Sequence, residues 1–175
     1  TSENPLLRQK AKKVTRFTPA VRQLVSDMFD TLFAAEGVGL AAPQIGVLQR
    51  IIVISIPAEY DENDHEIAPQ QDYVLLNPEI ISMRGEEEMT EGCLSVPGYR
   101  GLVKRATNVV IKGQDEFGRV VRYAGEGLLA QAFQHELDHL NGILYTDRLE
   151  GPDKLWRLSE EEETVQEDKA QGAAT

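Results

Sequence analysis

Of the three histidines in this 175-residue chain, two fall inside one five-residue run, HELDH at 135–139. In a helix, positions i and i+4 share a face, so His135 and His139 can bind one ion, and Glu136 can reach a water held on it. That is the chemistry of hydrolysis: the ion acidifies water and a carboxylate moves its proton. A catalytic site of this kind takes three protein ligands and keeps one position open, so the reading turns on the third. HELDHLNG begins like the metzincin pattern, but Tyr145 stands where that pattern needs its last histidine. An HExxH zinc metalloprotease would instead recruit a downstream carboxylate, and Glu160, Glu161, Glu162 and Glu163 are available, though four acids in a row read as a solvated segment. His65 lies in an acidic stretch and reads as a surface residue. The single cysteine, Cys93, sits in EGCLSVPG at 91–98, where glycines and a proline can form a turn that aims a side chain. Its thiolate would be a strong ligand, and buried filler is the bland alternative. A purely structural metal site would need a fourth soft ligand, which the chain does not offer.

The elements that must hold these groups follow from periodicity and punctuation. An amphipathic helix is expected over 18–37, capped by Thr18, begun by Pro19 and stopped by Gly37, with Val21, Leu24, Val25, Met28 and Leu32 on one face. Short strands are expected over 50–56, 73–76, 80–83, 109–112 and 120–123, and the polar segment 58–72 reads as an exposed loop. A second helix over 127–141, stopped by Gly142, carries HELDH together with Leu128, Leu129, Ala132, Phe133, Leu137 and Leu140. The class expected is α+β, with mainly antiparallel sheets flanked by helices and a central metal-binding HExxH helix. Gly37 and Gly39 in GVGLAAPQ, at 37–44, remove side chains beside an apolar strand, which would admit a second backbone such as an extended peptide.

With 41% hydrophobic residues the chain supports one domain, and no run of about 18 apolar residues predicts a membrane span. Eighteen Lys and Arg against 29 Asp and Glu leave a net charge of −11, which disfavours nucleic acid and anionic membranes as partners. One cysteine excludes an internal disulfide and suggests a reducing compartment. Residues 1–158 are read as the catalytic domain, and 159–175, with six acids and one lysine, as an acidic tail that is a frayed helix or disordered. Leu155, Trp156 and Leu158 are expected to pack back on the domain.

GVGLAAPQ, EGCLS at 91–95 and QHELDHLNG at 134–142 together resemble the three signature motifs of peptide deformylases, in that family's order. NPLLR at 4–8 is similar to the family's D-P-x-L-R start, and the likeness runs from Asn4 to Arg148. The resemblance implies that Cys93, His135 and His139 hold the metal, that Glu136 handles protons, and that the Gln44 side-chain amide and the Leu94 backbone N–H receive an oxyanion. It implies ferrous iron as the usual ion, with zinc, nickel or cobalt able to occupy the site. It implies substrate contacts from Val38, Gly39, Met89, Gly92, Arg100, Leu128 and Ala132, with Gln131 on a helix face where relatives are often apolar. The expected activity is removal of the formyl group from the N-terminal methionine of nascent polypeptides, with release of formate. The setting it implies is a bacterial cytoplasm, or an organelle where a targeting segment has been removed. Contact with the ribosome would be transient, without a nucleic-acid site of the chain's own.

Overall fold

The structure, a computed structural model, describes residues 1–159; the expected acidic tail lies outside the described residues from 160 onward. In chain order the regular elements are α1 (Pro19–Ala34), β1 (Gly39–Ala41), β2 (Ile51–Ile56), β3 (Glu59–Tyr60), β4 (Glu66–Ala68), β5 (Gln71–Arg84), β6 (Glu87–Cys93), β7 (Val96–Arg105), β8 (Asn108–Gln114), β9 (Val120–Glu126), α2 (Gly127–Leu140) and β10 (Leu155–Arg157). Single 3-10 turns interrupt the chain at Pro5–Arg8, Ala42–Ile45, Tyr145–Arg148 and Pro152–Lys154. The strands form a five-stranded sheet in the order β1-β2-β5-β8-β9, a three-stranded sheet in the order β10-β7-β6, and the small hairpin β3-β4, all antiparallel. The α+β class with two helices is as expected.

The two helices cover opposite faces of the larger sheet. Ile51 and Val53 of β2 and Leu76 of β5 pack with Val21, Val25, Met28 and Leu32 of α1. Ile52, Ile54 and Leu75, pointing the other way, pack with Ala130, Ala132, Phe133 and Leu140 of α2. A strand covered on both sides has no polar face, which is why β2 reads as the continuous run IIVISI rather than an alternation. Met28 and Leu32 are fully buried, so truncating Leu32 to Ala would cost about 2–5 kcal/mol.

Several expectations are corrected. The first helix stops at Ala34, and the left-handed residue that ends it is Glu36, with φ 48°, rather than Gly37. Gly37 is small for a different reason: a Cβ there would lie 2.8 Å from Leu32 Cδ1. The two strands expected at 73–76 and 80–83 are one bent strand, β5. Its ladder breaks between Leu76 and Glu79, where Asn77 has φ 53° and Pro78 has no N–H to donate. The Asn77 side chain takes over there, accepting from Val14 N at 2.8 Å and donating to Val14 O and Gln114 Oε1, both at 2.9 Å. The acidic loop contains the hairpin β3-β4. The segment around Cys93 is not an isolated turn but the tip of a hairpin whose strands, β6 and β7, were not expected at all.

Candidate metal centre and its cleft

Cys93 ends β6 at that tip, and β6 is an edge of the smaller sheet. His135 and His139 lie one turn apart on α2, and the helix is anchored by its apolar face on the larger sheet. Where the two layers meet, Cys93 Sγ and His139 Nε2 are 3.2 Å apart, and His139 Nε2 and His135 Nε2 are 3.2 Å apart. All three ligand atoms lie within 4.8 Å of one another. Bonds of about 2.0–2.3 Å to a tetrahedral ion would put ligand atoms roughly 3.3–3.8 Å apart, so one sulfur and two imidazoles at this spacing fit a single divalent cation. Of the rival third ligands, His65 is on the exposed β3-β4 hairpin, paired with Asp61 at 3.2 Å, and Glu160 to Glu163 lie outside the described residues.

Behind the ligands runs a buried chain of charges that the sequence reading missed. His135 Nδ1 meets Glu91 Oε2 at 2.9 Å, and because an ionised carboxylate only accepts, the imidazole donates from Nδ1 and turns Nε2 toward the ligand cluster. Arg105 grips Glu91 through Nε at 2.6 Å and Nη2 at 2.9 Å, and its Nη1 donates to Asp138 Oδ2 at 2.8 Å. Arg148 closes the row on Asp138 with two contacts of 2.5 Å. Burial would raise the Glu91 carboxyl, but the Arg105 and His135 hydrogen bonds overcome it and hold the group at about 2. Burial likewise opposes charge on His135, and hydrogen bonds to Cys93 and Glu91 carry it well above its ordinary value. His139 is pushed down to about 3 by burial and by His135. Tyr145, the residue in the failed metzincin position, stacks its ring on His135 with centroids 6.3 Å apart.

Glu136 is only 4% exposed, and its Oε2 has no hydrogen-bond partner among the described residues. Burial lifts its carboxyl to about 7. The space it fills is the one Gly39 vacates: a Cβ on Gly39 would stand 2.5 Å from Glu136 Oε1. The glycine expected to admit a substrate backbone therefore admits this carboxylate first. Gly92 serves Arg100 in the same way, since a Cβ there would meet Arg100 Nη1 at 2.1 Å.

These groups face a cleft of about 520 Å³ between α2 and the β6-β7 tip. Val38, Gly39, Gln44, Gly92, Cys93, Leu94, Arg100, Leu128, Ala132, His135 and Glu136 line it, together with Gln131 and Thr90. His139 lies behind that wall, 1% exposed. Gln44 accepts from Ala41 N at 2.8 Å through Oε1, which turns Nε2 toward Ser95 Oγ at 3.2 Å and Cys93 Sγ at 3.6 Å. Met89 does not line the cleft. It pairs across the strands with Val103.

Residues 1–155 match the polypeptide deformylase family. The chain belongs to that family. Its activity is the family's hydrolysis: removal of the N-formyl group from the N-terminal methionine of a polypeptide, with a metal ion required. A peptide deformylase of Thermomicrobium roseum is 49% identical over 167 residues, covering 95% of this chain and 93% of its own. The crystal structure of the Synechococcus elongatus deformylase in complex with actinonin is 42% identical, covers 87% of this chain and 79% of its own, and superposes with a TM-score of 0.77. A Met-Ala-Ser-bound deformylase of Acinetobacter baumannii is 34% identical with a TM-score of 0.75, covering 84% of this chain and 94% of its own. Among the described residues no helix is long and apolar enough to cross a membrane.

Proposed function

We propose that Cys93, His135 and His139 hold the ion of this deformylase, ferrous iron in the cell, and that Glu136, Gln44 and the Leu94 N–H carry the chemistry. The observation behind this reading is the convergence of one sulfur and two imidazole nitrogens in a cleft wall beside a buried carboxylate. Cys and His donors suit iron, zinc, nickel and cobalt alike, so the choice of iron rests on family resemblance. When bound, the ion supplies Lewis acidity, making a water more acidic and drawing charge from the formyl oxygen.

Glu136 takes a proton from the water whose oxygen bonds to the formyl carbon. A carboxyl at about 7 can accept that proton near neutral pH and give it back. The Gln44 amide and the Leu94 N–H donate to the oxygen as it gains charge, and Gln44 is held ready by its bond from Ala41 N. Glu136 then delivers the proton to the leaving nitrogen, the C–N bond breaks, and formate and a free amine result. Val38, Gly39, Gly92, Arg100, Leu128 and Ala132 form the walls for the peptide; Met89 is not among the residues that line the cleft. The peptide in the Acinetobacter baumannii complex supports N-formylmethionyl chains as substrates. We place the reaction in a bacterial cytoplasm, on the bacterial sources of the relatives, with only transient contact with the ribosome.

The test is anaerobic purification with metal analysis, followed by a formate-release assay on formyl-Met peptides. One ion per chain and formate release are expected. Cys93→Ala should lose both, whereas changing Glu160 to Glu163 together into Gln should alter neither. A cysteine variant that keeps its ion, beside a tail variant that loses it, would replace this reading with the carboxylate-liganded protease.

A further inference from the structure

One polar side chain in the cleft wall has no part in the chemistry above. Gln131 lies on α2 one turn before His135, so it shares the helix face that carries the first ligand, with Leu128 on one side and Ala132 on the other. Its Nε2 donates to the Thr90 carbonyl on the edge strand β6 at 2.9 Å, which bridges the helix to the opposite wall. A primary amide has two N–H donors and one carbonyl acceptor, so this bridge uses a single donor and leaves the second N–H and Oε1 for whatever enters the cleft. Leu128, Ala132 and Val38 contribute apolar surface to the same cleft.

From this we propose that Gln131 determines side-chain specificity. It lets the pocket beside the ligands take a first residue with a hydrogen-bonding side chain, of which methionine sulfoxide is the member nearest methionine in shape. The inference rests on the cleft being the substrate site as set out above. Gln131 stands at an exposed part of the wall, so an apolar side chain leaves its second N–H and Oε1 to water, whereas a sulfoxide oxygen accepts that N–H directly. A hydrogen bond made only to the sulfoxide narrows the gap between the two side chains, whereas a wholly apolar wall rejects an added polar atom by roughly 10²-fold. Oxidation of a terminal methionine gives such a polar, chiral side chain, so an enzyme with this wall keeps processing chains whose first residue has been oxidised.

The experiment compares kcat/KM for formyl-Met-Ala-Ser, formyl-Met-sulfoxide-Ala-Ser and formyl-norleucine-Ala-Ser in the wild-type enzyme and in Gln131→Leu, with calorimetric binding of the deformylated tripeptides to both. Ratios within each protein cancel any loss of folding. We expect the preference for thioether over sulfoxide to rise at least tenfold in Gln131→Leu, in rate and in binding, while the methionine-to-norleucine ratio stays the same. A thioether-to-sulfoxide ratio that moves less than twofold overturns the inference, as does an equal change in both ratios. If the wild type releases no formate from any of the three peptides, the proposed activity of the site fails, and the binding ratios alone then decide the role of Gln131.

Discussion

At the residue scale, it is the neighbours, not the burial, that set two acids beside His135 apart. Glu136 and Glu91 are both acids within reach of His135, yet burial lifts one to about 7 and Arg105 holds the other at about 2, so only Glu136 is matched to proton transfer near neutrality. Glu136→Gln should therefore keep its ion, measured by metal analysis, and lose roughly 10² to 10⁴ in kcat. Gln44→Leu removes one donor and should cost roughly 10² to 10³ in kcat at unchanged metal content. Wild-type turnover in either variant removes that residue from the mechanism. The spacing of HELDH made His135, His139 and Glu136 legible in the chain. Cys93 became so only through its neighbours in EGCLS, since a lone cysteine has no periodicity. Glu91, two positions before it, gave no signal of its own because its partners Arg105 and His135 are 14 and 44 positions away, beyond any local pattern.

At the element scale, α1, α2, β2, β8 and β9 were readable because their apolar positions repeat with a helix or strand period. The hairpin β6-β7 was not, because its strands carry Glu87, Glu88, Glu91, Lys104 and Arg105, and the one pair buried inside the protein, Glu91 with Arg105, looks in the sequence like the surface charges beside it. That pairing is a pH-dependent tie. Glu91 is depressed from 4.5 to about 2, so its contribution to stability is fully present above 4.5 and is lost as pH falls through about 2. The full effect is roughly 3 kcal/mol at about 1.36 kcal/mol per unit. In ion-free protein, the gap in unfolding free energy between wild type and Glu91→Gln should narrow as urea titrations move from about pH 5 to about pH 3. A gap that stays constant over that range would mean another carboxylate carries the acid sensitivity.

At the scale of the whole molecule, two truncations at the C-terminal end are expected to have different outcomes. The stretch 160–175, outside the described residues, holds six acids, one lysine and Val165 as its only sizeable apolar residue. Its deletion is expected to leave Tm, metal content and kcat/KM on short formyl-Met peptides unchanged. Cutting before Pro152 is different. Leu155, Trp156 and Arg157 pair with Gly101, Arg100 and Tyr99, so the end of the domain is held as a strand, with the Trp156 side chain 39% exposed. That truncation uncovers an edge of β7 and should lower Tm by several degrees, at about 2–4 °C per kcal/mol for a chain of this size. A Tm equal to that of the 160–175 deletion would show that β10 adds nothing.

The seam between α2 and the β6-β7 hairpin is closed by polar pairs: Gln131 with Thr90, His135 with Glu91, Arg105 with Asp138. The larger sheet is closed by Ile, Val, Leu and Phe. Two kinds of cohesion in one body imply two tempos of deuterium uptake. Amides of β6 and β7 should exchange through a partial opening that leaves β2, β5 and β8 protected, and chelation should speed the first set while leaving the second at the rate of global unfolding.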